Sequence, residues 1–145
     1  MDALETFEGR WRMTRLIEDA RAARRMCLAG EARFEPDGAG LLYAERGVWR
    51  SGDLAGAEAH RSHLWRPEGA RIAVLFADGR PFHVFDAVAR GRAEAAHDCP
   101  PDLYRASYLF ALPDTWEVTW RATGPRKDYL SRTRYRRIAP PSGRG

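Results

Sequence analysis

Residues 28–35 read Leu-Ala-Gly-Glu-Ala-Arg-Phe-Glu. Leu28, Gly30, Ala32 and Phe34 alternate with Glu31, Arg33 and Glu35, so one face of this segment is apolar or small and the other charged. Side chains alternate with a period of two only along a strand. Pro36-Asp-Gly38 then supplies a turn signal, and a further run follows over 40–49, where Arg46-Gly47 marks a candidate bulge.

Working outward, the pattern recurs. Upstream, 10–17 places Trp11, Met13 and Ile17 on one face. Downstream, runs at 57–66, 71–77, 81–86, 93–99, 103–111, 115–122 and 128–138 are separated by Gly, Pro and Asp. In the last run Tyr129, Ser131, Thr133 and Tyr135 face one way and Leu130, Arg132, Arg134 and Arg136 the other. Asp78-Gly79 between two apolar runs predicts a type I′ hairpin. Residues 3–8 read as a short helical turn, and 18–25 as a polar excursion or short helix. About ten short strands at near-regular spacing, with no long helix between them, predict an all-β antiparallel meander. An up-and-down barrel of eight to ten strands hides the edges most simply, with a two-sheet sandwich as the alternative. Such a barrel has room for an interior cavity.

The chain has 145 residues, enough for one domain with a real core. The expected organisation is a single barrel over 1–139 and a disordered Pro/Gly-rich tail over 140–145. Apolar residues are 44% and aromatics 11%, too many for a disordered chain. No apolar run is long enough for a membrane span. The net charge is +4, but 23 of the 24 basic residues are Arg and acidic residues are interleaved with them. That pattern reads as a solvated surface rather than a nucleic-acid interface. The N-terminal residues do not read as a signal peptide. Two cysteines, Cys27 and Cys99, are too few for a disulfide framework, so the expected compartment is the cytoplasm. Nothing in the sequence indicates the oligomeric state.

Gly9-Arg10-Trp11 opening the first strand, with a basic-rich last strand, resembles the Gly-x-Trp signature of lipocalin-like (calycin) barrels. The resemblance implies that Trp11 caps one barrel end under a basic residue of the last strand, Arg134, Arg136 or Arg137. The order Phe7-Glu-Gly-Arg-Trp11, Arg71-Ile-Ala-Val-Leu-Phe76, Asp78-Gly-Arg-Pro-Phe-His83, His97-Asp-Cys-Pro-Pro-Asp-Leu-Tyr104 and Gly124-Pro-Arg-Lys-Asp-Tyr129 resembles an uncharacterised bacterial family of small single-domain proteins of unknown function. It implies the barrel and no particular activity.

Scarce polar residues cluster in 80–104 and 124–129. The expected function is binding of a small, partly apolar molecule inside the barrel, with Arg80, His83, His97, Tyr108, Trp120, Lys127 and Tyr129 as ligand-binding candidates. Lys127, the only lysine, beside Arg126, suits an anionic ligand group at the barrel mouth. A cofactor-free acid–base enzyme is the alternative, with His83, His97, Tyr104 and Tyr108 as catalytic candidates. A protein–protein adaptor using an exposed strand edge is a third reading. His97-x-Cys99 with His83 offers zinc-type ligands, but without a C-x-x-C or H-E-x-x-H spacing, and neither a metal nor another cofactor is expected. His83 and His97 are expected on paired strands, facing each other only if the residue numbers of each pair sum to 180 rather than 179.

Overall fold

The computed structural model describes residues 3–139. A short 3-10 turn, Leu4–Phe7, precedes ten strands: β1 Gly9–Asp19, β2 Arg24–Pro36, β3 Leu41–Trp49, β4 Glu58–Glu68, β5 Arg71–Phe76, β6 Pro81–Asp86, β7 Arg90–Cys99, β8 Asp102–Ala111, β9 Thr115–Gly124 and β10 Lys127–Ala139. All belong to one antiparallel sheet in the order β6-β5-β4-β3-β2-β1-β10-β9-β8-β7. This is the expected up-and-down barrel, nearly closed. The first and last strands pair along their length, from Trp11 opposite Arg137 to Asp19 opposite Tyr129. No ladder joins β6 to β7, so the seam falls in mid-chain. No helix among the described residues is long and apolar enough to cross a membrane. The tail expected over 140–145 lies outside the described residues.

The two-residue period becomes burial directly. In β1 residues 9, 11, 13 and 15 are buried while 10, 12 and 14 are exposed; in β3 residues 41, 43, 45 and 47 are buried. One end of the barrel is a solid aromatic plug. The Phe7 ring packs against Phe34, Trp65, Phe110 and Trp116 at 5.1–5.9 Å between centroids. Trp11 is 0% exposed and donates its indole N–H to the Phe7 carbonyl at 2.8 Å. The Arg137 guanidinium lies 4.1 Å from the Trp11 ring centre. It donates to the carbonyls of Glu8 at 2.8 Å, Pro113 at 2.7 Å and Thr6. One cation thus ties the N-terminal turn to the last strand and covers the tryptophan. Strand parity selects Arg137, because Arg134 and Arg136 are exposed on the opposite face.

Four local expectations need correction. The segment around 18–25 is neither excursion nor helix: β1 runs to Asp19, β2 starts at Arg24, and Asp19 Oδ1 accepts from the N–H groups of Arg21 and Ala22 in the connecting turn. Arg46-Gly47 is not a bulge. Its register against β2 is unbroken, and Gly47 pairs with Gly30, where a Cβ on Gly47 would come within 2.9 Å of Leu28 Cγ. The Asp78-Gly79 turn is not type I′, because only Gly79 has positive φ (91°). Gly79 N–H donates to the Phe76 carbonyl, and Phe76 N–H donates to the Arg80 carbonyl. This is a three-residue loop, a type I turn closed by a left-handed glycine.

The fourth correction concerns His83 and His97. Their strands are chain neighbours but are not paired, so neither anticipated register exists. The connector explains why. Ala87 N–H bonds the Ala70 carbonyl beside β5, while the Ala89 carbonyl accepts from Leu112 N–H after β8. The two edges are pulled toward different hairpins and part.

Candidate functional site

Above the aromatic plug the barrel holds a cavity of about 710 Å³. Its lining extends to Asp19, His60, Cys99 and Tyr129, at the strand ends opposite Trp11, and His60 and Cys99 are exposed there. One end is therefore sealed and the other forms the mouth. Its volume falls in the range of small-molecule pockets, about 300–1,000 Å³.

Aromatic rings form much of the wall. Phe82 stacks on Trp120 (5.1 Å, 11°) and on Phe76 (4.6 Å, 22°), and His63 stacks on Phe82 (5.4 Å, 25°). His97 meets Phe82 edge-on at 5.3 Å across the unpaired seam. A bulge builds this wall. Val74 pairs with His83 but Leu75 pairs with Pro81, leaving Phe82 as an extra residue. Both Phe82 and His83 therefore line the cavity, which strict alternation forbids.

His83 is 7% exposed, and its Nε2 lies 2.7 Å from the Tyr108 hydroxyl. Burial, with the neighbouring His63 and His97, pushes the His83 imidazole down to about 3. Burial and the Arg61 charge push His63 down to about 4. Both rings are neutral at physiological pH. Burial raises the Tyr108 hydroxyl well above its ordinary value. Among the described residues, the buried side-chain polar atoms with no hydrogen-bond partner are His83 Nδ1 and Trp116 Nε1. Both residues line the cavity.

A second buried polar group, not anticipated from the sequence, lies in the same lining. Arg15 and Glu45 form a buried pair at 2.6 and 2.9 Å, and Arg15 Nε donates to Thr133 Oγ1 at 2.7 Å. Tyr43 OH donates to Glu45 at 2.5 Å and lies 2.8 Å from Tyr135 OH. Burial pushes the Glu45 carboxyl up, but Arg15, Arg61 and Tyr43 outweigh it and hold it at about 2. The ionised side chains of the lining, two arginines and two carboxylates, balance in charge. The available signal was parity: Arg15 shares its face with Trp11, Met13 and Ile17, and Glu45 shares its face with Tyr43.

Of the residues singled out from sequence, His83, His97, Tyr104, Tyr108, Trp120 and Tyr129 line this one cavity. Arg80 and Lys127 do not. Arg80 is exposed on the β5–β6 loop and paired with Asp78 at 2.7 Å. Lys127 donates to Tyr104 OH at 2.6 Å and pairs with Asp102 at 3.2 Å, and these partners raise its pKa. The proposed cation at the mouth is thus already matched by a carboxylate outside the lining. Among the described residues no three His, Cys, Asp or Glu side chains gather to hold a metal, so His83, His97 and Cys99 do not assemble as the zinc ligands weighed from sequence.

No curated protein matches this chain in sequence. Several solved structures share the fold. A protein of unknown function from the DUF3598 family of Nostoc punctiforme superposes with a TM-score of 0.63 at 9% identity, over 93% of this chain and 49% of that one. The chain therefore spans about half the length of the Nostoc protein. The S-type phycobiliprotein lyase CPES from Guillardia theta superposes with a TM-score of 0.63 at 14% identity, over 94% and 90% of the two chains. At these identities the likeness establishes the barrel and nothing about chemistry. Residues 7–137, nearly all of the barrel, match the profile of the family of unknown function DUF6314, and the chain belongs to that family.

Proposed function

We propose that this protein binds a small, neutral, planar aromatic molecule inside the barrel. The carrying observation is the 710 Å³ cavity, sealed at the Trp11 end and walled by stacked rings. Flat rings favour offset stacking and edge contacts with flat ligands, each worth about 0.5–1.5 kcal/mol beyond area burial. Neutrality follows from the balanced charges of the lining and from the neutral imidazoles of His63 and His83. The unpaired Cys27 and Cys99 fit a reducing compartment, and the cytoplasm remains our reading of location.

Binding is favoured over acid–base catalysis by one feature. His83 and Tyr108 are the hydrogen-bonded His–Tyr pair in the cavity. Burial drives their pKa values apart, to about 3 and to well above 10. Neither exchanges a proton near neutral pH, where an efficient general base or acid must.

The test is titration with prodan, a neutral naphthalene fluorophore. The expected result is one-to-one binding with a blue-shifted emission. Ser131→Trp, which puts a large side chain on the half-buried lining of β10, should weaken binding at least tenfold while leaving the circular dichroism spectrum of the barrel intact. Prodan binding that is indifferent to Ser131→Trp in a folded protein would place the site elsewhere.

A further inference from the structure

The proton directions in the buried Glu45–Tyr43–Tyr135 chain fix what the cavity demands of its ligand. Glu45 is held ionised by Arg15, so its oxygens only accept hydrogen bonds. A tyrosine has one hydroxyl proton. The 2.5 Å contact to Glu45 takes that of Tyr43. The 2.8 Å contact between Tyr43 and Tyr135 then has a single solution: Tyr135 donates and Tyr43 accepts. Tyr135 has spent its only proton, and among the described residues no donor bonds its oxygen. It lines the cavity as a hydrogen-bond acceptor.

Its neighbour has the opposite polarity. The Trp116 indole stacks on the Tyr135 ring at 3.8 Å and 6°. Trp116 Nε1, a donor only, is buried without a partner. Buried polar groups are nearly always paired, and a lone donor in a cavity wall marks the place of a missing acceptor. The two stacked rings, both in the cavity lining, therefore carry an acceptor whose proton is spent and a donor without a partner.

We infer that the ligand is a neutral planar compound carrying both an N–H or O–H donor and a carbonyl-type acceptor, as in a lactam or a heteroaromatic amide, with the donor bonded to Tyr135. This rests on the proposed function and narrows it. It disfavours anions, which bring a charge into a lining already balanced, and a carboxylate group in addition has no donor for Tyr135.

Two isomers isolate the donor. 4-Methyl-2-quinolone and 1-methyl-2-quinolone have the same rings, carbonyl and methyl group, but only the first has an N–H. Calorimetric titration of the wild-type protein should give at least tenfold tighter binding of the N–H isomer, the cost of leaving one buried group unpaired. Quinoline-2-carboxylate should bind at least tenfold more weakly than that isomer. In Tyr135→Phe, which keeps the ring stack on Trp116, the two isomers should agree within twofold. Equal affinities in the wild type, or preference for the N-methyl isomer or the carboxylate, would overturn the inference and leave the cavity reading standing. A preference that survives in Tyr135→Phe would overturn the assignment to Tyr135. Absence of binding by both quinolones and by prodan would overturn the cavity reading and the inference together.

Discussion

Between pH 7 and pH 5 the protein should lose stability because a buried and a half-buried histidine are held without charge. A free imidazole titrates near 6.5, whereas burial and the Arg61 charge push His63 down to about 4 and burial chiefly pushes His83 down to about 3. Below about pH 6.5 the unfolded chain takes up protons at these sites and the folded chain does not. Stability is therefore fully present above the free value and falls with pH toward the folded values. At pH 5 each site contributes about 2 kcal/mol less than at pH 7, since each pH unit below the free value is worth about 1.4 kcal/mol. This loss is insensitive to the exact folded values, provided both lie well below 5. The Glu45 carboxyl, held at about 2, weakens the fold only below the free carboxylate range and does not obscure the window. Urea unfolding at the two pH values measures the effect, with an expected loss of about 4 kcal/mol in the wild type. Among the described residues His63 has no hydrogen-bond partner, and it is flanked by Phe82 and Tyr43, so His63→Phe suits the site and should halve the loss. An unchanged loss in that variant would refute the claim that His63 is held neutral in the fold.

Arg137→Ala removes the cation over Trp11 and three bonds to carbonyls; it should cost about 2–4 kcal/mol in urea unfolding, and Trp11→Ala about 3–5 kcal/mol. Arg15→Met leaves Glu45 a buried charge without its partner and should cost about 3–5 kcal/mol, while Arg15→Met with Glu45→Met should recover most of that in the same assay. Gly79→Ala should cost about 1–2 kcal/mol in urea unfolding, because φ is 91° there although nothing crowds a Cβ, and Gly79→Asn should cost less.

The strands were legible because a two-residue period is local. Tyr129, Ser131, Thr133 and Tyr135 do share the interior face, and the Gly9-x-Trp11 resemblance led to the plug and to a last-strand arginine. What escaped the sequence depends on pairing between distant segments or on a single inserted residue. The open seam arises because Ala87 and Ala89 bond different hairpins, which no pattern in 81–99 encodes. The bulge at Phe82 reverses the parity on one side of it, so Phe82 and His83 both line the cavity where alternation separates them. The type I′ expectation at Asp78-Gly79 came from a dipeptide that serves two hairpin types, and Ala77 joining the loop selects the other. Arg15 and Glu45 were readable by parity, yet an arginine on an apolar face is interpretable only once its carboxylate partner on another strand is known.

The five indole N–H resonances of Trp11, Trp49, Trp65, Trp116 and Trp120 provide the most direct test of an interior binding site. Trp49, Trp65, Trp116 and Trp120 line the cavity, whereas Trp11 lies outside it in the sealed plug. In a nitrogen–proton correlation spectrum, saturating prodan should move the Trp116 and Trp120 signals strongly and leave Trp11 in place. A spectrum in which Trp116 and Trp120 stay fixed while prodan is bound would contradict the account.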